Sequence, residues 1–237
     1  APIACVVLAA GQSRRMRSDV PKVLHPVLGQ ALVAYPVHAA RSAGASRIVI
    51  VVRPEHEAAI KAAFTTEDDV VTAIQSEARG TAHAVLAARE ALVGFTGTVL
   101  VLLGDAPCVS APSIEALLRE HRERAASLTV LSGEVAEPRG YGRIVRGPDG
   151  DVAAIVEEKD ASAHVKQVRE INSGVMAFEA PDVWTTLDKI QPSLTTGELY
   201  LTDAIQLTRS AGRRVHAAPA ARAACTRRGR GRRPGRE

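Results

Sequence analysis

The feature that most constrains the fold is an alternation of short apolar segments with longer segments of helical periodicity along the first 135 residues. The apolar segments, each the length of one buried strand, are residues 3–8, 47–52, 70–75 and 99–103. Helical spacing of apolar residues predicts helices over residues 31–43, 55–63, 81–92 and 113–124, followed by a strand over residues 127–135. This alternation favours an α/β Rossmann-like architecture, a mostly parallel mixed sheet flanked by helices on both faces. Ligands are then expected at the carboxyl ends of the strands.

The pattern changes after Pro138. Shorter strand-like segments cover residues 143–146, 152–157 and 171–178, and two helices are predicted around residues 181–190 and 197–210. We interpret residues 136–216 as a lobe that covers the substrate and is built onto the same sheet as residues 1–135. One domain is therefore expected to span residues 1–216.

The charge of the chain is divided unevenly. The net charge is +4, but residues 213–237 contain nine arginines and one glutamate, a local balance of +8 that leaves −4 for residues 1–212. Residues 217–237 offer no aliphatic side chain beyond alanine, so we expect an Arg-rich, disordered tail. The alternatives are a nucleic-acid-binding arm, an extension without a selected role, or the product of a shifted reading frame. The acidic body makes nucleic acid an unexpected partner.

The sequence indicates neither a transmembrane segment nor a disulfide framework. The apolar run at residues 3–10 is too short to span a bilayer and lacks the flanks of a signal peptide, which predicts a cytoplasmic protein. The three cysteines, Cys5, Cys108 and Cys225, form no CxxC pair, so neither a zinc site nor a disulfide framework is expected. Cys5 is interpreted as a small buried residue of the first strand.

The loop after the first strand contains the parts of a phosphate site, although it matches neither a Walker loop nor a dinucleotide fingerprint. It begins Leu8-Ala9-Ala10-Gly11 and continues to Arg15 and Lys22. Gly11 permits a sharp turn, and consecutive backbone N–H groups at a strand-to-helix turn can bind an anion. Arg15 and Lys22 add positive charge for phosphate oxygens. The alternative is a surface turn with solvated basic residues.

Two further strand ends carry polar candidates. Asp105 follows an apolar strand, where a carboxylate can hold Mg²⁺ against nucleotide phosphates, although it can also cap the turn that follows. Gln75 ends another strand, and its amide can pair with the edge of a base. Gly80 permits close backbone approach, whereas Thr81 is equally explained as a helix N-cap. His83 is expected on a helix face without a chemical role.

In the second half, Gly142, Glu157 and Asn172 lie at predicted turns or strand ends. Polar groups of these types suit recognition of sugar hydroxyls. Each one alone is also explained by turn chemistry or by a solvated strand end.

In this order the segments resemble the amino-terminal uridylyltransferase domain of the bifunctional N-acetylglucosamine-1-phosphate uridylyltransferase / glucosamine-1-phosphate acetyltransferase family. The similarity covers residues 3–215, and its later motifs are more specific than the AAG loop, which many sugar nucleotidyltransferases share. The motifs are the AAG loop with Pro21-Lys22, Gln75 with Gly80-Thr81-Ala82-His83, Leu103-Gly104-Asp105, Gly140-Tyr141-Gly142-Arg143, IVEEKDA around Glu157, EINSG around Asn172, and ELYLTD at residues 198–203.

The resemblance implies a role for each motif. The nucleotide would be bound by Leu8, Ala9, Ala10, Gly11, Arg15, Lys22, Gln75, Gly80, Thr81, Leu103, Gly104 and Asp105. Asp105 would hold Mg²⁺, and Arg15, Lys22 and Asp105 would act in catalysis. Gly142, Glu157 and Asn172 would bind the acetylated amino sugar. The implied reaction converts UTP and N-acetylglucosamine 1-phosphate into UDP-N-acetylglucosamine and pyrophosphate, for cell-envelope precursors.

The chain departs from the family pattern at three places. The family loop GxGTR is replaced by Gly11-Gln12-Ser13-Arg14-Arg15, Ala82 replaces a glycine, and no Asn follows Asn172 to provide the family's second Mg²⁺ ligand. The carboxy-terminal β-helix of the family has no counterpart here, so a truncated, monomeric domain is expected. A GxSxRM loop also occurs in relatives that handle molybdenum-cofactor nucleotides. Three alternatives therefore remain. The chain could be a molybdenum-cofactor nucleotidyltransferase, a nucleotidyltransferase for another sugar phosphate, or a fragment that binds UTP or a UDP-sugar without turnover.

Overall fold

The computed structural model describes residues 1–11 and 20–220. Two expectations lie outside the described residues: the role of Arg15 in the first loop and the character of the tail beyond residue 220.

Strands and helices alternate as the sequence predicts. The strands are β1 (Ile3–Leu8), β2 (Pro26–Val27), β3 (Gln30–Ala31), β4 (Ala45–Val52), β5 (Val70–Ile74), β6 (Gly97–Leu103), β7 (Leu128–Glu134), β8 (Arg143–Arg146), β9 (Val152–Val156), β10 (Glu170–Ala180) and β11 (Val215–Pro219). The α-helices are α1 (Ala34–Ser42), α2 (Glu57–Ala63), α3 (Thr81–Ala87), α4 (Ala111–Glu123), α5 (Asp182–Leu187) and α6 (Ala204–Ser210). Short 3₁₀ turns cover Lys22–Leu24, Pro54–His56, Glu90–Leu92, Val165–Gln167 and Leu201–Asp203.

A nine-stranded mixed sheet organises the chain, with the order β11-β7-β10-β6-β1-β4-β5 and the β8–β9 hairpin attached to β10. Strands β6, β1, β4 and β5 run parallel to one another, whereas β10 runs antiparallel to β6 and β7. This arrangement confirms the predicted α/β class with a mostly parallel mixed sheet. Strands from both halves of the chain therefore belong to one sheet.

Apolar side chains cover the sheet on both faces. Along β1, Ala4 and Val6 pack into one cluster with residues of α3, α5 and α6, whereas Cys5 and Val7 pack into another with residues of α1, α2 and α4. Successive side chains of a strand point to opposite faces, so β1 must be apolar throughout to sit between two helix layers. Cys5 is fully buried, as expected, and burial raises the pKa of its thiol.

Several predicted elements differ in extent from those observed: the helix predicted over 31–43 begins only at Ala34, and the helix predicted over 181–190 ends at Leu187. The segment at 55–63 starts as a 3₁₀ turn before α2, the segment at 81–92 changes from α-helix to a 3₁₀ turn after Ala87, and the segment at 197–210 becomes helical only at Leu201. Residues 197–200 instead form an irregular stretch whose Leu199 hydrogen-bonds the chain beside α3. The backbone of Leu199 pairs with Arg79 and Ala82 and therefore does not form helical hydrogen bonds. The spacing of apolar residues does not reveal this pairing.

The ordered sheet extends further towards the carboxyl terminus than the sequence predicts. The sequence places it at Ala217, but β11 continues to Pro219, pairs in parallel with β7, and buries Ala217 and Ala218 completely or nearly so. Small alanine side chains cannot build a core alone, yet they suffice here because β7 and α4 supply the surrounding apolar surface. Across the described residues, no helix has the length and apolar content needed to cross a membrane.

A buried histidine makes the stability of this fold depend on pH. His121 on α4 places Nδ1 2.8 Å from Thr129 Oγ1 and Nε2 2.9 Å from Glu179 Oε1. A carboxylate only accepts, so Nε2 carries the hydrogen and Nδ1 accepts from Thr129 when the ring is neutral. Burial lowers the pKa of His121, and the opposing attraction of Glu179 does not offset that effect.

We expect this lowered pKa to appear as lost stability in acid. In the unfolded chain His121 binds a proton at the ordinary histidine pKa of about 6.5. In the folded chain it binds this proton only at a lower pH. The contribution of His121 is therefore complete above the unfolded-state pKa and falls as the pH decreases toward the folded-state pKa. Urea unfolding from pH 8 to pH 5 should show a shallower decline for His121→Gln than for the wild type. The exposed His38 provides the control, and a matching change in His38→Gln would contradict the assignment.

Candidate functional site

The ends of four parallel strands bring the predicted nucleotide residues to one edge of the sheet. The Gly104 N–H donates to Leu8 O at 2.9 Å, which ties the turn after β6 to the end of β1. The Ala9 and Gln75 N–H groups donate, each at 2.8 Å, to the carbonyls of the last two residues of β4. Gly104, Leu8, Ala9 and Gln75 therefore follow one another across the edge. This is where a parallel sheet is expected to bind ligands.

The start of the first loop lies against the turn after β6. Ala9 and Ala10 are buried, whereas Gly11 is exposed and its surroundings leave open space. A Cβ on Gly104 would lie 3.0 Å from Leu8 O and 3.2 Å from Ala9 Cβ, so a side chain there would crowd the two strand ends. The close approach explains glycine at this position.

Lys22 and Asp105 meet at this edge, although 83 positions separate them in the sequence. Lys22 Nζ donates to Asp105 Oδ2 at 2.6 Å, and each side chain is about two-fifths exposed, at 42% and 41%. Lys22 begins the 3₁₀ turn that follows the first loop, and Asp105 follows Gly104. A cation and a carboxylate thus face solvent together, in reach of a ligand.

Gln75 is held among polar partners beside α3. Only 5% of its surface is exposed, and its Nε2 donates to Gly80 O at 3.2 Å and lies 3.1 Å from His83 Nδ1. His83 lies on α3 as predicted, but it contacts a predicted base-binding residue instead of standing alone on the helix face.

Gly80 and Thr81 attach the start of α3 to the second half of the chain. Gly80, not Thr81, occupies the N-cap position, with φ of 104°, and a Cβ there would lie 2.5 Å from Leu199 O. The N-cap interpretation of Thr81 is therefore wrong: its Oγ1 accepts from the Leu201 N–H at 2.9 Å. The close approach of Leu199 requires glycine at position 80.

Gly142, Glu157 and Asn172, the predicted sugar residues, lie together. The Asn172 N–H donates to Gly142 O at 2.9 Å. A Cβ on Gly142 would lie 2.9 Å from Ile155 Cγ2 and 3.3 Å from Glu157 Oε1. Burial raises the pKa of Glu157, and the nearby charges of acidic residues add to that rise. The half-buried carboxylate therefore sits directly beside the glycine backbone.

Two contacts connect this group with the edge of the sheet that carries Gly104 and Asp105. A Cβ on Gly174 would lie 2.6 Å from the Leu103 side chain, so the β10 segment that carries Asn172 lies against the end of β6 next to Asp105. In addition, Thr202, one residue after the Leu201–Thr81 contact, partly opposes the rise in the pKa of Glu157 and therefore lies near its carboxyl group. The described members of both predicted groups therefore line one connected region.

Residues 5–172 match the family described as the MobA-like NTP transferase domain. The chain belongs to this family. It is also similar to proteins named bifunctional protein GlmU. The one from Syntrophotalea carbinolica is 47% identical over 215 residues, which cover 91% of this chain and 46% of the relative. Those from Geobacter metallireducens and Corynebacterium glutamicum are 44% and 42% identical, each over 92% of this chain and 46% of the relative.

The chain spans about half the length of the curated relatives that it matches. These comparisons confirm the resemblance predicted from the motifs and the enzyme class, a nucleotidyltransferase. Enzymes of this class generally use a divalent metal ion.

The chemistry of Asp105 suits such an ion. Its carboxylate is exposed at a strand end, and hard divalent ions prefer oxygen ligands. Among the described residues, no group of three or more His, Cys, Asp or Glu side chains could hold a metal alone. Mg²⁺ is usually bound by one or two carboxylates together with substrate phosphates and water, so a single carboxylate at this position is compatible with it.

Sequence reasoning missed the residues that shape the loop before β8. Arg143 is 1% exposed, and its guanidinium donates to Tyr141 O and, at 2.6 Å, to Glu158 Oε2. Glu158 also accepts from the Gly140 N–H at 3.2 Å, and Arg143 holds the pKa of Glu158 below its ordinary value. This pair fixes the backbone on both sides of Tyr141. The motif GYGR contains Arg143, but only the fold shows that it turns inward.

Proposed function

We propose that this nucleotidyltransferase transfers uridylyl from UTP to N-acetylglucosamine 1-phosphate, forming UDP-N-acetylglucosamine and pyrophosphate. The observation that carries the proposal is the continuity between the two groups of residues. The strand ends with Lys22 and Asp105 suit nucleotide phosphates, and Gly142, Glu157 and Asn172 suit a hydroxylated acceptor beside them. Similarity to the GlmU proteins supports these substrates.

Each nucleotide residue has a proposed task. The backbone of Leu8, Ala9, Ala10 and Gly11, with Leu103 and Gly104, lines the triphosphate. Lys22 and Arg15 neutralise phosphate oxygens. Gln75, Gly80 and Thr81 surround the uracil and its ribose. Asp105 would hold Mg²⁺, which when bound neutralises phosphate charge and stabilises the pyrophosphate that leaves.

The acceptor requires no general base. A sugar 1-phosphate is an anionic nucleophile, and its oxygen attacks the α-phosphorus of UTP while the bond to pyrophosphate breaks. The barrier comes from repulsion between anions and from alignment for in-line attack. Lys22 can reduce the repulsion because its ammonium already lies at the strand ends, and exchange of Asp105 for a phosphate oxygen would leave the cation in place.

The acceptor site should be sensitive to a single methyl group. We expect Gly142→Ala to raise KM for N-acetylglucosamine 1-phosphate about tenfold, equivalent to about 1.4 kcal/mol, with KM for UTP nearly unchanged. The new Cβ would press on Ile155 and displace the Glu157 carboxylate. Steady-state kinetics with each substrate varied in turn would measure both constants. Gly133→Ala is the matched control, because no atom lies within 4 Å of its Cβ position. Equal changes in both KM values would contradict a sugar-specific role.

A panel of substrates tests the activity itself. Pyrophosphate release should be fastest with UTP and N-acetylglucosamine 1-phosphate, and should depend on Mg²⁺. Faster release with another triphosphate or sugar phosphate, or transfer to a molybdenum cofactor, would replace this proposal with a different specificity. Calorimetric binding of UTP without product would instead identify a binding protein without turnover.

We further infer that this chain acts in the cytoplasm as a monomer and contributes to cell-envelope precursors. Similarity to the GlmU proteins supports the cellular role. Sedimentation of the purified chain with and without UTP would test its oligomeric state.

A further inference from the structure

We propose that His83 is a positioning residue that fixes the orientation of the Gln75 amide, so that its oxygen faces the base and favours uracil over cytosine. This inference rests on the proposed function for the identity of the nucleotide. It adds a residue that determines specificity without touching the base. The observation behind it is the pair of contacts made by Gln75 Nε2, to Gly80 O at 3.2 Å and to His83 Nδ1 at 3.1 Å.

The orientation of the amide follows from what each partner can do. The Gly80 carbonyl only accepts, so the atom of Gln75 that faces it must be the amino group. The second hydrogen of that group points to His83, so Nδ1 must accept and the neutral ring must carry its hydrogen on Nε2. Both hydrogens of Gln75 Nε2 are then used. Within the described part of the chain Gln75 Oε1 forms no hydrogen bond, so it is the atom available to a ligand.

Packing holds His83 where this contact requires it. Its neighbours on α3, Ala82, Ala84 and Val85, are all buried in the core, which prevents the helix from rotating. Gln75 itself is only 5% exposed, so water has little access to the amino group. Turning the amide over would place two acceptors, Oε1 and Gly80 O, against each other. The Gly80 carbonyl opposes that change because it can only accept, and His83 adds a second constraint as long as its ring carries the hydrogen on Nε2.

A fixed acceptor discriminates between pyrimidines. Uracil carries N3–H and can donate to Oε1, whereas cytosine has a lone pair at N3 that would face the same oxygen. Without His83, the amide has one partner fewer and can more readily present its amino group to cytosine. The predicted effect of losing His83 is therefore relaxed selection of the base.

The kinetic experiment compares kcat/KM for UTP and CTP. We expect His83→Ala to lower the UTP:CTP ratio at least tenfold, with kcat at saturating UTP within about threefold of wild type. His83→Asn places an amide oxygen near the position of Nδ1 and should restore most of the ratio. In a Gln75→Ala background, His83→Ala should have no further effect on the ratio, because His83 acts through Gln75. An equal loss for both nucleotides, or an additive effect in the double variant, would overturn the proposal.

A second measurement does not depend on turnover. The ¹⁵N spectrum of the folded chain without nucleotide should show His83 in the neutral Nε2–H tautomer. In His83→Ala, the chemical shifts of the Gln75 side-chain NH₂ group should change. An Nδ1–H tautomer would overturn the inference. If the wild type prefers a nucleotide other than UTP, the proposed function fails, but the tautomer and the double-variant comparison on the preferred nucleotide still decide the role of His83.

Discussion

Asp105→Asn is expected to lower kcat for nucleotidyl transfer by about 100- to 1,000-fold, the loss typical for removal of one preorganised electrostatic contact to developing charge. The substitution keeps the size of the side chain and removes its negative charge. It should weaken the binding of the divalent ion and also remove the negative charge that faces Lys22 at 2.6 Å. Because the side chain is 41% exposed, the free energy of unfolding should change little.

Two readouts separate the metal role from a general defect. Pyrophosphate release measures kcat, and electron paramagnetic resonance of Mn²⁺, titrated in the presence of UTP, measures metal binding without turnover. Asp188→Asn is the matched control, since Asp188 forms an exposed ion pair with Arg89 at 2.7 Å. Unchanged Mn²⁺ binding in Asp105→Asn would refute the assignment of Asp105 as a metal ligand, whatever happens to kcat.

Gly80→Ala is expected to have the largest effect on stability, a loss of about 3 kcal/mol in the free energy of unfolding. For a chain of this length that corresponds to a fall in Tm of about 6–12 °C. Alanine rarely adopts the Gly80 φ of 104°, and its Cβ would lie 2.5 Å from the backbone oxygen of Leu199. The backbone must shift to relieve this clash, which also displaces the carbonyl that orients Gln75.

Gly94→Ala separates backbone strain from the clash. Gly94 also has a positive φ, 73°, but no atom lies within 4 Å of its Cβ position. Its substitution should cost about 1 kcal/mol, from conformation alone. Calorimetric melting of both variants tests the comparison. Equal losses would show that the approach of Leu199 does not constrain position 80. A stable Gly80→Ala with normal UTP kinetics would contradict both roles of the glycine.

Local sequence patterns were sufficient to place several candidate residues at one edge of the sheet. Parallel strands must end at a common edge, so a polar residue directly after a buried strand has a predictable location. The positions of Asp105 and Gln75 at this edge were predicted in this way. The ion pair between Asp105 and Lys22 was not predicted, because 83 positions separate the two residues in the sequence.

Other features were not predictable from local sequence because they depend on partners distant in the chain. Gly80 was expected to approach a ligand, but its close neighbour is the backbone of Leu199. His83 was expected to be inert, because helical spacing does not reveal that Gln75 lies beside it. The burial of Arg143 was not predicted, since burial of an arginine depends on a carboxylate supplied by another segment, here Glu158.

The sequence by itself determined the alternation of strands and helices, the edge at which ligands are expected, and the family resemblance. These depend on periodicity and on the order of motifs, which are local properties. Only the tertiary structure decided that Thr81 holds Leu201 and does not cap its helix, that Ala217 and Ala218 complete a sheet, and that His83 contacts Gln75. The physical reason is that a polar or small side chain takes its role from the groups packed against it, and folding brings those groups from distant positions in the chain.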